Sequence, residues 1–263
     1  MARMSIVMLS LWLHAGCGAT RDAADATDAT DAADAADAAG APIDAPPHVP
    51  GNPGPGAHAL AYFRVESHAV TLTTPAMATR PSGSTIVASV GRGAASAFAL
   101  PTDNQGNTPY RQLGTSHTYT LWPSSGTALY TFTGASGGAN HLVSVSTPYD
   151  DELTLAAVEV IDGTVIQDQQ WNEVLAGNPL TSRSVTTTGP ATLVAFWWGD
   201  ANADGDKTAT PELGFTTVDS ILLAGSLVQC AVAVREVAAA GTYSVTWTAT
   251  PVQGAQLWLV AVQ

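Results

Sequence analysis

The sequence predicts an all-β protein: a single antiparallel β-sandwich, jelly-roll-like in topology, that follows a disordered N-terminal tether. From about residue 57 onward, runs of four to eight residues rich in Val, Thr, Leu, Ala and aromatics are separated by clusters of Gly, Pro, Asn, Asp and Ser. Some runs alternate apolar and polar residues, whereas LTLAAVEVI (153–161) is apolar throughout, and this mixture favours two packed sheets. No convincing amphipathic helix of normal length competes with the strand pattern.

Residues 1–16 are predicted to be a lipoprotein-type signal peptide. Arg3 supplies a positive charge, and the apolar stretch 5–13 is far shorter than the roughly 18 to 20 residues that span a bilayer. The stretch ends in Ala-Gly-Cys at residues 15–17, which resembles the bacterial lipobox. That resemblance implies lipidation of Cys17 after the signal is removed. An ordinary secretory signal and an uncleaved anchor are the alternatives.

Residues 17–56 are predicted to be a disordered linker. Aspartate stands at every third position from Asp22 to Asp37, and a proline-rich stretch follows. The segment has almost nothing large enough to bury, so folding could not offset its conformational entropy, and its like charges keep the chain extended. Such an Asp-Ala spacer resembles those of surface lipoproteins from myxobacteria and their relatives. It predicts a charged tether that holds a domain clear of an outer membrane or cell surface.

Residues 57–263 are predicted to form the folded domain. The runs predicted as strands are 60–65, 69–74, 84–91, 117–123, 128–133, 141–147, 153–161, 183–188, 191–198, 228–236, 242–249 and 256–263. In the run LVQCAVAV, Cys230 is expected to be a buried free thiol that acts as a small hydrophobe.

The charge balance argues against one class of partner. The chain has 9 Lys and Arg residues against 22 Asp and Glu residues, for a net charge of −13. Such a protein repels a phosphate backbone at long range, and no basic stripe reverses this. Nucleic acid is therefore not an expected partner.

Several motifs of the domain follow one another in an order that resembles a broad group of secreted bacterial sandwich domains. They include DNQGNTPY (103–110), which resembles D-x-x-G-N-x-Y, the glycine-rich turn GASGGANH (134–141), and LTLAAVEVIDG (153–163). Members of the group are mostly of unknown function, so the resemblance implies a fold and an extracytoplasmic location rather than a chemistry.

The most specific local motif is a loop typical of calcium sites. Asp200, Asn202, Asp204 and Asp206 reproduce the D-x-N-x-D-G spacing in which alternating oxygens converge on the ion. The twelfth place of the loop holds Pro211 rather than the usual acid. Calcium is the cofactor that the motif predicts, and an acidic loop without an ion is the alternative.

Two consecutive tryptophans, Trp197 and Trp198, precede this loop. Consecutive residues of a strand point to opposite faces, so one of the two indoles is expected to face outward, where sugar rings stack on aromatics. The ligand site is therefore predicted at this edge, beside the acidic loop. Trp122, Tyr149 and Trp171 are further candidate platforms.

The evidence for catalysis is weaker, and no catalytic residue is assigned. Ser136 lies in a G-x-S-x-G match, but the segment joins two predicted strands and lacks the helix that a nucleophile elbow requires. The acids of the YDDE segment (149–152) and Glu159 are candidates for a glycosidase pair, although acids before a strand more often form a solvated turn. The histidines show no paired metal-ligand spacing, so zinc is not expected.

These observations predict a membrane-tethered, extracytoplasmic recognition or adhesion module whose leading ligand class is carbohydrate. A secreted polysaccharide-active hydrolase or lyase is the first alternative. A structural envelope protein is the second.

Overall fold

The computed structural model describes residues 51–64, 69–94, 98–199, 207–222 and 228–263, and every regular element in these segments is a β-strand. Within them no helix is present that could cross a membrane. The signal peptide, Cys17, most of the tether, His68 and the four predicted calcium ligands Asp200, Asn202, Asp204 and Asp206 lie outside the described residues.

Eight strands form the N-terminal half of the domain (residues 54–161). They are β1 (Gly54–Phe63), β2 (Thr71–Thr73), β3 (Ser82–Arg92), β4 (Thr102–Asp103), β5 (Arg111–Thr118), β6 (Gly126–Ser136), β7 (Val143–Ser146) and β8 (Leu153–Ile161). The first large sheet has the order β1-β8-β3-β6-β5, and the first small sheet has the order β2-β7-β4. Every pair of neighbours is antiparallel.

Ten strands form the C-terminal half (residues 166–263). They are β9 (Ile166–Gly177), β10 (Leu180–Thr181), β11 (Val185–Thr187), β12 (Ala191–Gly199), β13 (Thr208–Pro211), β14 (Thr216–Ile221), β15 (Gln229–Val237), β16 (Gly241–Tyr243), β17 (Thr246–Thr250) and β18 (Gln253–Val262). The second large sheet has the order β14-β15-β12-β18-β9, the second small sheet has the order β10-β17-β13, and β11 and β16 form a separate two-stranded ribbon.

The two halves share one strand topology. When the strands are numbered one to eight within each half, leaving out the β11-β16 ribbon, both large sheets read 1-8-3-6-5 and both small sheets read 2-7-4. Pairing of the first strand with the eighth, the third with the sixth and the second with the seventh is the jelly-roll arrangement. The chain therefore builds the same jelly roll twice in tandem.

The predicted all-β class and the antiparallel sandwich are confirmed, but the domain has more layers than the single sandwich expected from the sequence. The two large sheets pack against each other through one hydrophobic cluster, and each large sheet also packs against its own small sheet. In β8, for example, Ala156 and Val158 face the other half, whereas Leu155 and Ala157 face the small sheet. Burial on both faces explains why LTLAAVEVI is apolar throughout.

The interface between the two large sheets contains two indoles that bond to hydroxyls of the opposite half. Trp198 Nε1 donates to Ser89 Oγ at 3.1 Å, and Trp258 Nε1 donates to Thr127 Oγ1 at 2.8 Å. Thr127 in turn donates to Gln256 Oε1 at 2.5 Å. All of these residues are buried. We call this set the central interface, and it joins the halves through both apolar packing and hydrogen bonds between buried polar groups.

The strand predictions differ from the structure in several places. β9 was not predicted, because its sequence IQDQQWNEVLAG is polar and lacks the usual alternation. The predicted run 117–123 is displaced, since β5 ends at Thr118 and the chain then turns. The predicted run 242–249 is divided between β16 and β17. The folded domain also begins earlier than residue 57, because β1 starts at Gly54. The Ala57 amide of this strand donates to Glu159 Oε2.

Substitution of Gly91 by alanine should destabilise the protein. A Cβ atom at Gly91 would lie 2.4 Å from Trp198 Cζ3, so the indole that bonds to Ser89 would have to move. We expect a loss of about 1 to 3 kcal/mol in the free energy of unfolding, measured by denaturant titration. Gly138→Ala is the matched control, because its added Cβ would meet nothing closer than 3.7 Å. Equal stability of the two variants would contradict this packing.

Candidate functional site

The predicted site at Trp197 and Trp198 is wrong, because both indoles are 0% exposed. Trp198 faces the first large sheet, as expected for one of two consecutive residues. Trp197 points to the opposite face, but that face is covered by the second small sheet, where Trp247 and Leu180 belong to the same cluster. The prediction assumed a solvent-exposed face that the second large sheet does not have. Neither indole can serve as a sugar platform.

The other aromatic candidates differ in exposure. Trp122 and Tyr149 are 39% and 44% exposed and lie on turns. In the turn that follows Trp122, Ser125 Oγ donates to the Gly93 carbonyl. The Tyr149 ring lies over the Arg92 guanidinium. Trp171 is half-buried, because one of its faces stacks on His117 with ring centroids 3.7 Å apart. Burial lowers the pKa of His117 from its usual value, which favours the neutral form of the stacked ring.

The acids considered as a glycosidase pair have structural partners. Asp151 accepts from Arg92 Nε at 2.7 Å, and both side chains are at most 2% exposed. Glu159 accepts from Ser84 Oγ at 2.6 Å and from the Arg80 amide at 2.8 Å. Glu152 accepts from Tyr62 at 2.9 Å. These carboxylates connect neighbouring strands and loops rather than face each other across a cleft.

The remaining candidates agree with the structural interpretations made from the sequence. Ser136 is the last residue of β6, and a turn follows it. Cys230 is a buried free thiol, and burial raises its pKa well above the ordinary value. Within the part of the chain that the structure describes, no cluster of three or more His, Cys, Asp or Glu side chains is placed to hold a metal ion.

A groove runs between the two halves, along the edge where β5 of the first large sheet lies near β9 of the second. It consists of two hollows of about 310 and about 230 Å³. The larger hollow is lined by Pro109, Arg111, residues 131–133 and residues 164–166. The smaller hollow is lined by Arg111, Leu113, Gly114 and residues 166–169. We call the two hollows together the inter-half groove. Arg111 and Ile166 line both of them.

The groove closes at one end. There the His117 ring stacks on Trp171, and Glu173 accepts from the Thr120 amide at 2.8 Å and from its hydroxyl at 2.6 Å. Between these contacts and Arg111, β5 bulges outward over residues 114–116. Gly114 has a φ of 66° there, which favours glycine, and a Cβ at this position would lie 3.3 Å from Gln169 Nε2. The smaller hollow lies beside this bulge, between it and Arg111.

The edge that is topologically equivalent to the groove is closed. In the shared strand order, β1 and β9 are the first strands of the two halves, and β5 and β14 are the fifth strands. The edge formed by β1 and β14 is therefore equivalent to the edge formed by β9 and β5. Here His58 Nδ1 lies 2.6 Å from Asp219 Oδ2, and Leu60 and Val218 pack against the cluster between the large sheets. The two equivalent edges therefore differ in the side-chain contacts that join the halves. Only the β5-β9 edge of this pair contributes lining residues to the two hollows.

The motif DNQGNTPY supports one wall of the groove. Asp103 Oδ2 accepts from Tyr110 Oη at 2.9 Å and from Asn107 Nδ2 at 2.7 Å, and Asp103 Oδ1 accepts from the amides of Gln105 and Asn107. The Tyr110 ring in turn packs 5.7 Å from Phe132, which lines the groove. Tyr110 directly precedes Arg111. The network therefore holds both Arg111 and Phe132 in position.

His141 and Thr79 extend this network. The enclosed His141 Nε2 lies 3.1 Å from Asp103 Oδ2, and its Nδ1 lies 3.0 Å from Thr79 Oγ1. Because the carboxylate can only accept, Nε2–H donates to Asp103, and in the neutral ring Nδ1 accepts from the Thr79 hydroxyl. Burial alone would raise the pKa of Asp103, but the hydrogen bonds from Asn107, Tyr110 and His141 outweigh it and hold the pKa below the usual range.

The groove residues on β9 were missed by the sequence analysis. Gln167, Asp168 and Gln169 form an amide-rich and acidic run with no strand pattern, so nothing marked them as part of a sheet. The one available signal was the isolated Trp171 among polar residues, which was read only as a possible platform.

Comparison of the chain with protein-family models, curated proteins and solved structures found no match.

The Asp103 network should make stability depend on pH in the acid range. Because the pKa of Asp103 is lowered on folding, the carboxylate stabilises the fold fully above its unfolded value of about 3.9. That stabilisation is lost as the pH falls through the lowered pKa of the folded state. We expect the difference in unfolding free energy between the wild type and Asp103→Asn to be constant above about pH 5 and to shrink below about pH 4.

Urea titrations of both proteins from pH 2.5 to 7 measure this difference. Glu236→Gln is the control, since Glu236 is an exposed acid on β15. A difference that does not change with pH would show that the ionised form of Asp103 does not stabilise the fold.

Proposed function

We propose that this protein is a recognition module that binds carbohydrate in the inter-half groove. The observation that carries the proposal is a difference between two equivalent edges: packing and a His58–Asp219 contact join the halves at one, whereas the other, beyond its His117–Trp171 contact, holds two adjoining hollows. A fold that repeats one unit has no topological reason to leave one of these edges open. We therefore assign the open edge a binding role.

The lining suits a sugar. Gln169 offers an amide donor and acceptor and Thr133 offers a hydroxyl, and these groups match the hydroxyls of a glycan. The carboxamide of Gln167 already bonds to Thr188, and the buried Thr131 hydroxyl donates to the Ile86 carbonyl. Phe132, Pro109 and Ile166 add apolar surface for the C–H faces of a sugar ring. A groove that is open along a strand edge accepts part of a long chain, whereas a deep pocket would select a small molecule.

The groove supports binding better than hydrolysis. Glycosidases of the usual kind place two carboxyl groups about 5 to 9.5 Å apart across the scissile bond. Of the described residues that line the groove, Asp168 alone carries a carboxylate. Its oxygens accept from the Thr186 amide at 2.8 Å and from Gln170 Nε2 at 3.0 Å. A second acid facing it is not part of this lining.

The proposed location follows from the N-terminal sequence. A lipid on Cys17 and the acidic spacer behind it would fix the protein to an outer membrane or cell surface while leaving the groove free to reach a glycan. This tethered arrangement suits adhesion or capture of an external polysaccharide. Calcium bound by the 200–206 loop belongs to the same proposal, as an ion that stabilises the loop after β12.

Filling the groove should abolish binding. Thr133 is exposed and lines the larger hollow, so Thr133→Trp places an indole where the ligand would lie. On a glycan array followed by calorimetry with the best ligand, we expect affinity to fall by at least about tenfold, equivalent to about 1.4 kcal/mol.

Thr216→Trp is the matched control. Thr216 is an exposed strand threonine on β14, at the equivalent but closed edge. This variant should keep wild-type affinity. Equal losses in the two variants, or no glycan binding by the wild-type protein, would overturn the proposed function.

A further inference from the structure

Arg111 occupies the centre of the inter-half groove. It is the first residue of β5, it is exposed, and it lines both hollows. Within the described part of the chain its guanidinium makes no hydrogen bond, ion pair or cation–π contact. The groove therefore presents a charged fork of N–H donors that no protein group uses.

Most other arginines of the domain are engaged. Arg80 pairs with Asp162, and Arg92 pairs with Asp151. Arg235 lies 5.2 Å from the ring centroid of Tyr243. Arg111 has no such partner, although acidic residues outnumber basic ones in the chain. Arg183 is the comparable case: it is exposed, and its side chain is likewise unbonded within the described residues.

Asp168 shares the groove with Arg111 but does not pair with it. Asp168 lines the smaller hollow with Arg111, but its carboxylate is directed to the Thr186 amide and to Gln170 Nε2. No ion pair joins Asp168 and Arg111. The N–H donors of Arg111 are thus available to a ligand.

The wall around Arg111 is held in place before any ligand arrives. Tyr110 is 1% exposed and bonded to Asp103, and Arg111 is paired in register with Thr131 of β6. A fixed backbone limits the conformational entropy that binding must remove. A planar guanidinium matches a carboxylate through two parallel hydrogen bonds, and these charge-assisted bonds are stronger than neutral ones.

We propose that the ligand of the groove is an acidic glycan, and that Arg111 binds the carboxylate of a uronic acid residue. This inference rests on the proposed function and specifies its substrate class. The net charge of the chain disfavours a polyanion at long range, but at physiological salt the Debye length is about 8 Å, so this repulsion is largely screened. A direct contact with Arg111 is what overcomes the remainder.

The test compares pairs of polysaccharides that differ only at the carboxyl group. Polygalacturonate, alginate and hyaluronan are each used beside their carboxyl-reduced, neutral forms, and binding to the full-length chain is measured by calorimetry at 0.15 M salt. We expect the wild type to bind at least one acidic form about tenfold more tightly than its neutral form, as expected for charge-assisted hydrogen bonds. Arg111→Gln should remove that preference, so that the acidic and neutral forms bind with equal affinity.

Two further variants separate a specific contact from general charge. Arg183→Gln removes the same charge from another exposed, unbonded arginine and should leave the preference intact. Arg111→Lys keeps the charge but loses the fork, and its preference should be intermediate. Circular dichroism melts of each variant exclude misfolding as the cause.

The outcomes distinguish the two proposals. Binding of neutral forms as tightly as acidic forms would overturn the role of Arg111 and leave the carbohydrate module standing. Equal losses in Arg111→Gln and Arg183→Gln would show that net charge, not this contact, sets the preference. If no acidic or neutral polysaccharide binds, this inference and the proposed function both fail.

Discussion

The packing of two indoles against hydroxyls of the opposite half is the contact on which the rest of the structure depends. Trp198 and Trp258 each fill space between the large sheets, and each donates its N–H to a hydroxyl, on Ser89 and Thr127. An indole N–H buried without a partner would cost about 1 to 3 kcal/mol. The sheets must therefore approach at the one distance that satisfies both packing and hydrogen bonds. Gly91 permits that approach, because it leaves room for the Trp198 ring.

This central interface determines what remains accessible. Each large sheet is covered on one face by the other half and on the other face by a small sheet, so the wide flat faces are unavailable to ligands. Only the sheet edges and the loops at the strand ends remain accessible to a ligand. At one edge the halves meet through His58 and Asp219, and at the equivalent edge His117 stacks on Trp171. The groove lies along that second edge, between β5 and β9.

The sequence predicts the strands well where both faces of a strand are buried, as in β3, β8, β12 and β18, because a continuous apolar run is a strong signal. It predicts edge strands poorly. β9 carries amides and acids that bond to neighbouring loops, as Asn172 does with the Arg183 amide, and such residues show no alternation. The tandem repetition was also hidden, because equivalent strands hold different residues: the next-to-last residue of β3 is Gly91, whereas that of β12 is Trp198.

The candidate site, like the edge strands, could be predicted only in part from the sequence. A pattern of alternation tells which side chains share a face but not what covers that face, so the exposure of Trp197 could not be derived. The motif around Asp103 was visible, but its role depends on Tyr110, His141 and Asn107 meeting in space. Arg111 had no distinguishing sequence context. Its importance comes from its place between two hollows and from the absence of a bonded partner in the described structure, which are properties of the fold alone.

Hydrogen–deuterium exchange with and without a bound glycan tests most directly whether the inter-half groove is the ligand site. The full-length chain is compared in both states, and exchange is followed peptide by peptide. We expect protection confined to residues 109–114, 131–133 and 164–169, which form the two walls of the groove. Protection centred instead on the exposed aromatic turns at Trp122 and Tyr149, with the groove peptides unchanged, would contradict the account.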